Sequence, residues 1–201
     1  MPTLLLALCA LAADKPAWQP LFDGKSLDGW KVVEFGGDGE VKVAEGRVLM
    51  KMGNSLTGIT YAGEDLPKSN YEIELEAMRV DGIDFFCALT FPVADSHCSF
   101  IVGGWAGAVV GLSSIDNKDA SENETTQYIT FKTGQWYRIR VRVTDDNISA
   151  WIDDKKVVNQ DIKDRKISTR NEVDLSKPLG LSAWQTTSAV RGMKLRKLPK
   201  Q

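Results

Sequence analysis

Few side chains in this chain are equipped for chemistry, so each can be weighed singly. His97 is the only histidine among 201 residues, and the only side chain whose unperturbed pKa lies close to neutrality. It follows Asp95 and Ser96 at an expected turn and opens an expected strand. That suits a general base or a metal ligand, or equally a solvated turn histidine. One imidazole excludes multi-histidine zinc sites and any mechanism needing two. Asp84 interrupts the apolar run Ile83 to Leu89. A carboxylate there either ends the strand at its rim or points into a site. Trp105 follows two glycines, which let a ligand approach the backbone closely. Trp184 precedes Gln185 and Thr186 near a strand end. An indole stacks on the apolar face of a pyranose while nearby amides and hydroxyls bind its rim. Core packing is the competing role for both tryptophans. Arg191 fits either a sugar oxygen or a charged ladder.

Other patterns are weaker. The run Asp116 to Thr125 is rich in oxygen atoms and could hold a divalent cation such as calcium, but it lacks the glycine and spacing of an EF-hand loop. Within it, Asn123-Glu124-Thr125 fits a glycosylation acceptor. Glu122 and Glu124 imitate a glycosidase pair without control of their separation. No phosphate-binding glycine loop, Ser-His-Asp order or CxxC pair is present. No metal ligand set is assigned, and a cofactor other than a divalent cation is not indicated.

The elements that must position these residues are strands. In Asn70 to Glu76 the apolar side chains take one face and three glutamates the other, and Tyr137 to Val143 alternates three arginines with apolar residues. These ladders read as complementary solvent-facing rows on neighbouring antiparallel strands. Further strands are expected at 40–44, 47–52, 57–61, 83–91, 97–103, 107–112, 126–131, 147–152, 155–160, 179–184 and 189–197. Turn formers such as Glu45-Gly46, Asp81-Gly82 and Asp153-Asp154 separate them. About a dozen short strands imply an all-β fold, a two-sheet antiparallel β-sandwich or jelly roll. The polar stretches 113–125 and 161–177 read as surface loops.

Composition sets the outer limits. Hydrophobic residues make up 43% and charged residues 26%, and the net charge is -2. That supports a packed domain and supplies no field for nucleic acid. Residues Leu4 to Ala12 form an apolar run too short for a span of about 20 residues. With Ala10-Leu11-Ala12 it reads as a signal peptide over 1–13, leaving one domain over 14–201 outside the cytoplasm, periplasmic or extracellular, without stable membrane insertion. Cys87 and Cys98 flank an expected hairpin; a disulfide and two buried free thiols are both open.

The most specific segment is Trp18-Gln19-Pro20-Leu21-Phe22-Asp23-Gly24-Lys25-Ser26-Leu27-Asp28-Gly29-Trp30. It resembles the opening motif of the 3-keto-disaccharide hydrolase family, whose members are similar to concanavalin A-like lectin/glucanase sandwiches. Gly46-Arg47-Val48-Leu49, the glutamate strand, the pair Trp136–Val141 and Ala150–Val158, and the closing segments Leu179-Gly180-Leu181 and Val190–Arg196 follow in the family's order. Asp23 and Asp28 in the opening motif read as turn carboxylates rather than catalysts. The resemblance implies cleavage of a glycosidic bond in a 3-keto sugar: a base removes the acidified C2 proton, the C1 substituent leaves, and water adds. On that expectation Asp84 and His97 do acid–base work, Arg191 polarises the ketone, and Trp105, Trp184 and Gln185 hold a carbohydrate or modified sugar. The sequence departs from the family at Gly82–Phe86, Gly103–Leu112 and Ser182–Thr187, where family polar groups would sit. A non-catalytic carbohydrate-binding module and a protein-interaction module on the same fold are the alternatives.

Overall fold

The computed structural model describes residues 16–200. The leader read over 1–13 lies outside them. The expected alternation produces two antiparallel sheets. The first runs β13 (Lys155–Asp161), β12 (Asn147–Ile152), β11 (Trp136–Val143), β6 (Tyr71–Gly82), β15 (Thr186–Lys197), β4 (Arg47–Met50) and β3 (Val41–Ala44), with β1 (Gln19–Pro20) also on β15. The second runs β10 (Gln127–Tyr128), β9 (Val109–Ser113), β8 (Ser96–Gly104), β7 (Cys87–Val93), β14 (Gly180–Trp184), β5 (Leu56–Tyr61) and β2 (Trp30–Val33). The sheets face each other as a jelly-roll sandwich.

Period two decides which side chains meet. On β6, Tyr71, Ile73, Leu75 and Ala77 enter the core, while Glu72, Glu74 and Glu76 face outward. The glutamates stand opposite Arg142, Arg140 and Arg138 of β11, and opposite Arg196, Lys194 and Arg191 of β15. The ladder therefore exists, but it is not solvent-facing throughout. Glu72 is fully buried beneath Arg142 and Arg196, each donating at 2.7 Å. Two long arginines meet one short carboxylate and close over it.

The two sheets bury Phe91, Phe100, Leu89 and Leu112 against Ile139 and Val141. An edge-to-face group of Phe86, Phe131 and Tyr137 closes one end. Cys98 pairs in register with Phe91 and Cys87 with Val102, a four-residue offset of about 13 Å along the strands. Both thiols are free and buried, and burial pushes each pKa up to about 12. The disulfide alternative falls on that geometry.

The opening motif works as a turn. Asp23 Oδ1 accepts from the backbone N–H of Lys25 at 2.8 Å and of Ser26 at 2.9 Å, which lowers its pKa. Trp30 Nε1 donates to Leu21 O at 2.7 Å. Strands β1 and β2 were not expected from pattern; both are short edge strands with too few residues for alternation to show.

The stretch 161–177 is more than a loop. It carries a 3-10 segment, Asn171–Ser176, laid across the outer face of β14 and β5. Val173 and Ser176 are buried there. Gly180 permits this approach, since a Cβ would stand 2.3 Å from Ser176 O. The stretch 113–125 is likewise anchored, with Ala120, Asn123 and Thr125 buried.

Candidate functional site

The same alternation that fills the core sends Leu56 of β5, Trp184 of β14, Ser99 and Ile101 of β8, and Ser113 of β9 to the outer face of the second sheet. Between them, the loops at 83–86 and 103–107, and the 3-10 segment lies a cavity of about 310 Å³. That is at the small end of ligand pockets, about 300–1,000 Å³. Ser99 and Ser113 pair in register on its floor. Ser99 Oγ is 2.8 Å from Thr90 Oγ1, whereas Ser113 Oγ, on a residue 1% exposed, has no partner among the described residues. Trp105, Phe85, Trp184 and Leu56 form apolar walls, and Asp84, Arg170 and Glu172 supply the charges.

Asp84, next to the exposed Ile83, lies in the loop between β6, which ends at Gly82, and β7, which begins at Cys87. Its Oδ1 accepts from the Phe85 N–H at 2.7 Å and its Oδ2 from the Ala106 N–H at 3.1 Å. These bonds orient the carboxylate and tie it to the loop that carries Trp105. In that loop Trp105 and Ala106 have φ of +47° and +63°. Left-handed non-glycine residues cost about 1–3 kcal/mol each and persist only where the surroundings enforce them.

Arg170 bridges the cavity's polar end. It donates to Asp119 Oδ2 at 2.6 Å and to Glu172 Oε1 at 2.7 Å. The hydrogen bond to Arg170 holds the Glu172 carboxyl below its ordinary value, and the same bond raises the Arg170 pKa. Asp84 forms no ion pair among the described residues, whereas the other pocket carboxylate, Glu172, is held by Arg170.

Of the residues singled out in the sequence, Asp84, Trp105 and Trp184 come together in this cavity. Gln185 lies beside it, with Nε2 donating to Asn54 O at 3.1 Å, which fixes a neighbouring turn. His97 is placed elsewhere. It shares the outer face with Ser99, but it opens β8 beside Lys177, Lys68 and Asp174. Seven residues separate it from Gly104, where the Trp105 loop leaves the strand, roughly 23 Å. Burial, with help from the two lysines, lowers its pKa. Arg191 lies on the outer face of the other sheet, 2.8 Å from Glu76 and stacked 4.1 Å from the Trp136 ring centre. The expected acid–base work of Asp84 with His97, and polarisation of the ketone by Arg191, therefore find no common site: strand position holds His97 away from Asp84, and sheet face holds Arg191 away.

The oxygen-rich loop does not fit a cation. Asp116 and Glu124 both bind Arg165, and Asp119 binds Arg170. Asn123 is no glycan acceptor here: its Nδ2 is spent on Leu112 O at 2.8 Å and Asp119 O at 2.7 Å. Among the described residues no group of three or more His, Cys, Asp or Glu is placed to hold a metal.

Sequence reasoning missed Arg170, Glu172, Phe85, Leu56, Ser99 and Ser113. The two serines had a readable signal, since each sits at an outer-facing position of a run that is otherwise apolar on its other face. Arg170 and Glu172 had none, because a polar stretch without period does not announce which sheet it will cross.

Several solved structures share the fold. The carbohydrate-binding module CBM66 from Bacillus subtilis is 16% identical, with 84% of this chain and 96% of that one covered, at a TM-score of 0.59. The Crh5 transglycosylase is 14% identical over 94% and 86%, at 0.57. A glycosyl hydrolase family protein from Mycobacterium fortuitum is 10% identical over 90% and 99%, at 0.55. At such identities the likeness is one of fold. None of the curated proteins compared matches the chain. The profile of the 3-keto-alpha-glucoside-1,2-lyase-like domain, by contrast, matches residues 17–196, and the chain belongs to that family.

Proposed function

We propose that this protein cleaves a 3-keto glycoside in the cavity on the second sheet, with Asp84 as the base. The observation that carries the reading is Asp84 itself: a carboxylate fixed by two backbone N–H groups, in no ion pair among the described residues, beside two indoles. The indoles take the apolar face of a pyranose, and the Ser113 hydroxyl is left to bind a ring oxygen substituent. The C3 ketone acidifies the C2 proton. Asp84 takes that proton, the C–H electrons form the C1–C2 double bond through the enolate, and the C1 oxygen leaves with its bonding pair. The proton passes from Asp84 to the departing oxygen, and addition of water across the new double bond completes hydrolysis. Arg170 is the cation lining the site and faces the enolate charge.

Binding without turnover is a second reading. It is favoured by Arg170, whose charge is shared between two carboxylates and is weakened as an electrophile. Incubation with 3-keto-trehalose separates the two readings. Protein-dependent release of glucose, lost in Asp84→Asn with affinity retained, supports catalysis; saturable binding without release supports the binding module. We also place the protein outside the cytoplasm on the apolar run Leu4 to Ala12, which cell fractionation tests. Among the described residues no helix is long and apolar enough to cross a membrane.

A further inference from the structure

Arg79 is a cation where β6 alternation calls for a core residue. It shares parity with Tyr71, Ile73, Leu75 and Ala77, and it is 5% exposed. Among the described residues no carboxylate forms an ion pair with it. Its Nη2 instead lies 3.2 Å from Asp84 O, 3.2 Å from Gly103 O and 3.1 Å from Gly107 O. The guanidinium carbon stacks 5.2 Å from the Phe86 ring centre. Burial lowers its pKa, and the charge of Asp84 works against that.

The three carbonyls belong to two segments, the loop at Asp84 and the end of β8 with the loop that follows it. One carries Asp84; the other carries Trp105 and Ala106 in left-handed conformations. Gly103 makes room for the guanidinium, since a Cβ there would stand 2.6 Å from Nη2, and Gly107 makes room for the Asp84 loop, since a Cβ there would stand 2.7 Å from Ile83 O. Gly103-Gly104-Trp105-Ala106-Gly107 thus presents two carbonyls to a buried arginine from the opposite sheet and packs closely on both it and the Asp84 loop. All three carbonyls gather on Nη2, while Nε has no partner among the described residues. The planar guanidinium lies over the Phe86 ring, a stacking that lysine's compact ammonium does not reproduce.

We infer that Arg79 is the positioning residue of the cavity, clamping the Asp84 loop to the strained Trp105 loop so that carboxylate and indole face one ligand. Its effect on a ligand rests on the proposed sugar site; its clamping of the loops does not.

The test uses Arg79→Lys, with and without Ala106→Gly, which removes the cost of the left-handed residue. Amide hydrogen exchange is read first, without ligand. The expected result is exchange at least about tenfold faster across 103–108, with β6 and β15 unchanged. Binding of methyl 3-keto-α-glucoside is expected to weaken about tenfold and to recover in part in the double variant. Unchanged exchange at 103–108 overturns the inference. So does exchange that rises throughout the chain, because Arg79 would then hold the fold and not the loops. Local loosening with undiminished affinity overturns the link to the ligand. Local loosening in a protein whose wild type binds no 3-keto sugar sinks the sugar site and leaves the clamp standing.

Discussion

Trp105→Ala offers a sharp test of the cavity. The residue is 40% exposed, unusual for so large a side chain on an otherwise packed face. A tryptophan presents up to about 250 Å², so roughly 100 Å² remains open to a ligand. A sugar ring that covers between half and all of that area, at about 25 cal/mol per Å², gains about 1.2–2.5 kcal/mol. Alanine forfeits this, and the dissociation constant should rise about 8- to 60-fold. The backbone confuses the result little, because alanine bears the left-handed φ about as poorly as tryptophan does, and the clamp from Asp84 and Arg79 stays. The assay is calorimetric titration with methyl 3-keto-α-glucoside, with a thermal melt to show that the fold is unchanged. A change under about twofold would refute the stacking argument, since so much apolar area cannot be covered and uncovered without consequence.

Glu72→Gln and Glu76→Gln sit on the same face of β6, but only Glu72 is buried. Leaving two arginines without its charge should cost about 3–5 kcal/mol, while the half-exposed Glu76 pair should cost at most about 1 kcal/mol; urea unfolding of both variants checks this, and equal losses would contradict the burial argument. His97 has a folded pKa below its unfolded value, so the unfolded state binds the extra proton. Its contribution is complete above the unfolded value of about 6.5 and is lost as pH falls from there toward the lower folded value. The wild-type minus His97→Gln difference in urea midpoint should therefore shrink between about pH 7 and 5, and a flat difference would be inconsistent with the shift. Cys87 and Cys98 should resist a thiol reagent in the native protein and react together in denaturant, with no reductant needed; a thiol titre below two in denaturant would show that they pair.

The architecture was readable because alternation is a local property. The glutamate and arginine strands appear in the sequence as they do in the sheet, and the opening motif from Trp18 to Trp30 reports its own turns. Cavity walls could be read only where a residue broke the pattern: Asp84 in an apolar run, Trp105 after two glycines, Trp184 before a polar pair. His97 and Arg191 also stood out by type, but type does not say which end of a strand or which sheet face a residue takes. Arg79 shows the reverse. Its parity with Tyr71 and Ile73 becomes visible only once β6 is seen to run on to Gly82, past the alternation at Asn70 to Glu76, and Gly103, one of the two glycines that suggest room for a ligand, makes room for its guanidinium. Arg170 and Glu172 depend on how a polar stretch crosses the second sheet, a tertiary choice without a local period.

The central claim is that Asp84 removes a proton from C2 of a 3-keto sugar. The direct measurement follows 1,5-anhydro-3-ketoglucitol in D2O by proton NMR. This compound has no leaving group at C1, so exchange at C2 isolates the base step. The account predicts protein-dependent loss of the C2 proton signal that is abolished in Asp84→Asn while the compound still binds. Exchange that is absent with wild-type protein, or equal in the two proteins, would contradict it.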